Sequence, residues 1–151
     1  MEKSKQIIAK LTEAYWAEME TVQNYTALSV NLDGIQGRII AETLSSEISE
    51  ELGHARELAK RIKELGGQVP GSTAFQATQK YLQTPADSTN VLAVINGVLK
   101  AEEEAISLYR EIIRLSEEGS DYVTQDLAIR LLADEEEHQQ QFQSFLAEFQ
   151  K

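Results

Sequence analysis

Cysteine is absent from the 151 residues, which excludes a disulfide framework, a thiolate metal site and a cysteine nucleophile. Proline occurs only as Pro70 and Pro85, so long stretches carry no helix breaker. No window has the unbroken apolar length of a membrane span, and the opening Met1-Glu2-Lys3-Ser4-Lys5-Gln6 runs into an amphipathic pattern rather than an apolar signal core. The expectation is a soluble, unprocessed, cytoplasmic protein with no membrane partner. Basic side chains are also scarce. Fourteen Lys and Arg against 25 Asp and Glu give a formal charge of −11, which argues against nucleic acid and favours attraction of small cations.

What remains is rich in Ala, Leu, Glu, Gln and Ile at a period near 3.6, the signature of an all-α chain. A first helix is expected from about Ser4 to Leu32, with Ile7, Leu11, Ala14, Glu18, Val22, Tyr25 and Leu28 on one stripe. Asp33-Gly34 turns the chain into a second helix that runs to Leu65 and carries Ile40, Leu44, Ile48, Glu51, His54, Leu58 and Ile62. Gly66-Gly67 ends it. A third helix, capped by Asp87 or Ser88, carries Val91, Ile95, Val98, Glu102, Ala105, Tyr109 and Ile112. After Gly119-Ser120-Asp121, a fourth carries Ala128, Leu131, Glu135, His138, Phe142 and Phe145 to the end of the sequence.

The connection between the second and third helices is long and needs a reason. A helix of about 30 residues spans roughly 45 Å, and ~20 residues extend to roughly 66 Å, so the connection can cross the whole bundle. A short helix is expected within it over Phe75 to Leu82. The predicted architecture is a four-helix bundle of two antiparallel hairpins joined by one crossover, a single domain over 1–151. Tyr15, Trp16 and Phe75 are candidate exposed groups at a subunit contact.

The only two histidines stand in Glu51-Leu52-Gly53-His54 and Glu135-Glu136-Glu137-His138, the same Glu-x-x-His spacing, 138 − 54 = 84 residues apart. The same offset relates Glu18 to Glu102 and Tyr25 to Tyr109. Core positions repeat with them, so 4–65 and 88–149 read as a duplicated hairpin. A spacing of three places Glu and His on one helical face, and that face is apolar. Four glutamates facing a core are costly to ionise without a partner. Two divalent cations supply four positive charges against four carboxylates. Glu18, Glu51, His54, Glu102, Glu135 and His138 are therefore the expected ligands of a two-metal site. Oxygen-rich ligation with one imidazole per metal suits iron or manganese, with zinc as an adventitious substitute. Tyr25 and Tyr109 are expected to bond ligand carboxylates, with electron donation as the alternative role. Glu47, Glu50, Glu103, Glu104, Asp134, Glu136 and Glu137 are expected to be solvated, with Glu47 able to pass metal inward.

One Glu from each of two helices and a Glu-x-x-His from each of the other two is the ligand pattern of di-iron carboxylate bundles. On these residues the chain resembles the ferritin-like superfamily, in its bacterioferritin, Dps-like and rubrerythrin-like branches. The resemblance implies that Glu51 and Glu135 bridge the metals, that Glu18 and His54 complete one position, and that Glu102 and His138 complete the other. It implies a ferroxidase oxidising Fe(II) with oxygen or hydrogen peroxide for iron storage or peroxide detoxification, and a homo-oligomer. Leu52 stands where bacterioferritins carry a haem-binding methionine, so no haem is expected. The lack of cysteine leaves no rubredoxin-like iron domain, and no fifth helix is expected. Two other functions fit the same pattern: a rubrerythrin-like di-metal peroxidase or oxidase with a separate electron donor, and a non-enzymatic metal-buffering bundle.

Overall fold

A computed structural model describes residues 2–150 and contains four long helices: α1 (Glu2–Asn31), α2 (Gly34–Glu64), α3 (Val91–Glu118) and α4 (Tyr122–Ala147). No strand is present among the described residues. α1 packs along α2 and α3 along α4, and the two hairpins meet mainly through α1 and α3. The hairpins and the crossover match the sequence expectation, with helix ends shifted by a few residues.

Gly34 opens α2 at φ +88, a backbone conformation that disfavours a side chain, so the Asp33-Gly34 turn is specified by the glycine. α4 is started by Asp121, whose carboxylate accepts from Thr124 N–H at 3.1 Å. Arg61 on α2 donates to Asp121 at 2.7 Å and to Thr124 Oγ1 at 2.8 Å, tying this turn to the neighbouring hairpin.

The crossover differs from expectation. Its only helical turn is a 3-10 segment at Ser72–Ala74, and Phe75 to Leu82 is not a helix. The cause lies on α1. The buried Glu20 carboxylate accepts from the backbone N–H groups of Thr78 and Gln79, at 3.0 and 2.7 Å, and from Thr78 Oγ1 at 3.2 Å. Those amides are held by a side chain rather than by a helical ladder. Gln79, also buried, donates to Thr21 Oγ1 and accepts from Asn24, each at 2.9 Å. The third-helix cap also moves: Asn90 accepts from Ala93 N–H, while Asp87 is engaged by Thr89 and Ser88 donates to Asp33.

Gly97 marks the point where the crossover lies closest to α3. A Cβ there would fall 2.4 Å from the carbonyl oxygen of Tyr81. Trp16 stacks between Tyr15 and Phe75 at ring-centroid distances of 5.4 and 4.9 Å, so these three are half-buried against one another rather than free on the surface.

The apolar core falls into two clusters. One gathers Tyr25, Leu28, Leu44, Ile95, Val98 and Phe142, and the other Ile7, Leu11, Leu58, Ile62, Tyr109 and Ile112. Between them lies a belt of buried ionisable groups.

Candidate metal centre

That belt is made by mid-helix residues from all four helices: Glu18 from α1, Glu51 and His54 from α2, Glu102 from α3, Glu135 and His138 from α4. Each is at most 5% exposed. They form two overlapping clusters, Glu18-Glu51-His54-Glu135 and Glu51-Glu102-Glu135-His138, within each of which one ligand-type atom per residue lies within 4.8 Å of all the others. Glu51 and Glu135 belong to both. All six side chains singled out in the sequence thus converge.

Both imidazoles turn Nδ1 inward. His54 Nδ1 lies 3.1 Å from Glu135 and 3.7 Å from each of Glu18 and Glu51. His138 Nδ1 lies 3.0 Å from Glu51, 3.6 Å from Glu135 and 3.9 Å from Glu102. Glu18 and Glu102 are steadied across the hairpins, since Tyr109 donates to Glu18 at 2.6 Å and Tyr25 to Glu102 at 3.1 Å. The expected tyrosine contacts are therefore present, and each tyrosine serves the glutamate of the other half.

Electrostatics make this an uncomfortable place for bare anions. Burial, then the neighbouring Glu51, pushes the Glu18 carboxyl up to about 8. Burial and the contact with Glu135 push Glu102 well above the carboxylate range. Burial opposes charge on His54 and His138, yet hydrogen bonds to the surrounding glutamates outweigh it and raise both. Burial and the Glu102 and Glu18 charges hold Tyr25 and Tyr109, respectively, protonated. Protons here do the work that a cation would otherwise do.

Glu18 Oε2, Glu51 Oε1, Glu102 Oε2 and His138 Nδ1 are buried with no well-aligned hydrogen-bond partner, although Glu51 Oε1 and His138 Nδ1 approach each other to 3.0 Å. Buried polar atoms normally find partners; these converge on one locus and have the donor chemistry of a hard, carboxylate-binding divalent cation. The residues therefore fit a metal pair.

One acid departs from the expectation of solvation, and two others, exposed or half-exposed, make contacts that it did not foresee. Glu47 is buried at 6% exposure with Oε2 unpartnered, and burial pushes its carboxyl up to about 7. Its counterpart by the 84-residue offset is Leu131, so nothing in the repeat singled it out. Glu50 and Asp134 are partly exposed, yet each bonds a histidine at 2.9 Å. They are themselves 134 − 50 = 84 residues apart, a signal the sequence did contain.

A cavity of about 550 Å³ reaches the belt from the α1–α3 side. Glu18, Glu51, Glu102 and Glu135 of the belt line it, together with the small Ala17, Ala101 and Ala105 and with Glu104 and Glu111. Phe75 and Tyr81 belong to the crossover that passes over this face.

A model of the ferritin-like domain matches residues 8–151. A protein of Pyrococcus furiosus named "DNA protection during starvation protein" is 31% identical over 147 residues, covering 94% of this chain and 77% of that one. Among solved structures, a ferritin-like, diiron-carboxylate protein from Bacillus anthracis superposes with a TM-score of 0.86 at 24% identity, covering 97% of this chain and 99% of that one. A bacterioferritin-related, dodecameric thioferritin from Bacteroides fragilis gives 0.80 at 27% identity, with 97% and 87% coverage. With nearly its whole length matched by that model, the chain belongs to the ferritin-like domain family.

Proposed function

We propose that the chain is a di-iron ferroxidase that takes two Fe(II) ions as substrate at Glu18, Glu51, His54, Glu102, Glu135 and His138 and oxidises them with oxygen or hydrogen peroxide. Iron storage or peroxide detoxification is the purpose this serves. One observation carries the reading: two four-residue ligand clusters share Glu51 and Glu135 and contain buried, unpartnered ligand atoms. Bound iron supplies the electrons, one from each ion. Hydrogen peroxide accepts two electrons and two protons to leave as two waters; oxygen accepts the same number to leave as hydrogen peroxide.

The chain's own residues do the rest. Glu51 and Glu135, common to both clusters, would be shared by the two metal positions. Tyr109 and Tyr25 hold Glu18 and Glu102 by hydrogen bonds and leave one carboxylate oxygen of each free for metal. Leu58, Ile95, Val98 and Phe142 keep bulk water from either side. The α1–α3 cavity gives a small oxidant access to the site, which favours an enzyme over a closed buffering bundle. Its many carboxylates suit ions and small polar oxidants better than an apolar organic substrate. The same ligand set accommodates manganese, and zinc as a substitute. Haem has no part in the proposal, because Leu52 offers no iron-ligating atom.

Self-association is part of the reading. Val30 and Ile35 are 78% and 86% exposed at one end of the bundle, apolar surface of the kind that subunit contacts cover. The formal charge of −11 makes DNA an unsuitable partner for this chain, whatever the name of its Pyrococcus relative implies for that protein.

The test is to load metal-free protein anaerobically with two Fe(II) per chain, admit oxygen or peroxide, and follow ferric absorbance and oxidant consumption. Rapid oxidation at two irons per chain is expected. A Glu51→Ala variant that oxidises iron as fast as the parent would overturn the proposal.

A further inference from the structure

The crossover does more than join two helices, because part of it walls the α1–α3 cavity. Ala74, Gln76, Thr78 and Gln79 line that cavity together with Trp16 and Glu20 of α1. Any shift of this stretch changes the opening between the belt and solvent.

The stretch is fixed at both ends and lightly held between them. Val69 packs against one apolar cluster, Leu82 is 1% exposed in the other, and Gly97 lets the Tyr81 backbone lie against α3. From Gly71 to Ala77 only Phe75 is half-buried, where it stacks on Trp16 at 4.9 Å, and the remainder is exposed. Hydrogen bonds there are local, from Ala74 N–H to Gly71 and from Phe75 N–H to Ser72. The fastening to a helix comes at Thr78 and Gln79, and it converges on α1. Both backbone amides and the Thr78 hydroxyl donate to the one Glu20 carboxylate, while the Gln79 side chain engages Thr21 and Asn24. Glu20 is 5% exposed, and its oxygens are taken up by these donors, so it holds the crossover rather than a metal.

We infer that residues 71–79 form a strap across the mouth of the cavity, latched by Glu20, and that unlatching sets how fast hydrated divalent cations exchange with the belt. The inference rests on the reading of the belt as a metal site with this cavity as its entrance. A strap that is not a ligand changes uptake and release by one factor and leaves affinity alone, because bound metal does not distinguish its two positions. A residue that holds metal changes the affinity instead.

The test compares the full chain, wild type, with Glu20→Ala and the milder Glu20→Gln. Hydrogen exchange at Thr78 and Gln79 reads unlatching. Acrylamide quenching of Trp16, the single tryptophan, reads the mouth of the metal-free protein. Stopped-flow Zn(II) uptake, and release to excess chelator, read passage. Glu20→Ala should speed exchange at the two amides roughly 10- to 100-fold. It should also raise the quenching constant and accelerate Zn(II) uptake and release by that same factor, with affinity unchanged. Glu20→Gln, which keeps one acceptor oxygen, should move every readout the same way by less. Should Glu20→Ala not fold, Glu20→Gln and Gln79→Ala replace it. Faster amide exchange with unchanged quenching and unchanged Zn(II) rates would overturn the inference alone. So would a loss of affinity as large as the gain in release rate, since Glu20 would then act on the bound metal. Failure of wild type to take two Zn(II) would instead overturn the six-ligand reading and the claim on metal exchange with it, while Trp16 quenching would still decide whether the strap opens.

Discussion

Removing metal should invert the pH dependence of stability. In the metal-free protein, Glu18 rises from an ordinary 4.5 to about 8 and Glu102 rises further above its ordinary value, so between these limits the folded state holds protons that the unfolded chain has released. His54 and His138 are also raised, so their contribution is complete below 6.5 and is lost as pH climbs toward their folded values. All four groups carry the same sign: more protons are bound folded than unfolded, and stability falls as pH rises. Glu18's own contribution, at roughly 1.36 kcal/mol per pH unit, is at most ~5 kcal/mol over that interval. Relaxation of the belt and entry of water reduce this, so a loss of ~2–5 kcal/mol between pH 5 and 8 is expected. With two Zn(II) bound, the ligands are deprotonated in the folded state and the slope reverses, stability rising from pH 5 to 7. Urea unfolding at a series of pH values, with chelator and with Zn(II), measures both curves. A metal-free protein that gains stability from pH 5 to 8 would refute the reasoning.

Gly97→Ala should cost ~1–3 kcal/mol, because the new Cβ falls 2.4 Å from the Tyr81 carbonyl oxygen and the crossover has to move; thermal melting and hydrogen exchange at Tyr81 and Leu82 check this. Glu20→Ala should cost ~1–3 kcal/mol by orphaning the Thr78 and Gln79 amides, and should raise hydrogen exchange at those two residues before any other part of the crossover. Tyr109→Phe removes the 2.6 Å bond to Glu18 and should weaken one Zn(II) site roughly tenfold in calorimetry while leaving the stoichiometry at two metals.

The four-helix plan and the convergence of the six belt residues were legible because each left a periodic trace. Ionisable groups recurred on apolar stripes, and a single offset aligned both halves. The offset held more than the six belt residues: it also pairs Glu50 with Asp134 and Glu20 with Glu104. Those acids sit beside charged surface positions, and only coordinates distinguish an acid bonded to an imidazole from a solvated one. The crossover left no such trace. Its conformation is imposed by Glu20 and Gln79, a tertiary capture that competes with local helix propensity over Phe75 to Leu82. Glu47 was hidden for the opposite reason, since it has no partner in the repeat and its burial depends on how α2 faces α4.

The most direct measurement is a crystal structure of protein loaded anaerobically with Fe(II), with anomalous data on both sides of the iron absorption edge. Two iron peaks per chain are predicted in the belt, both touching Glu51 and Glu135, one with Glu18 and His54 and the other with Glu102 and His138. A belt without iron, or one iron held by surface acids alone, would contradict the account.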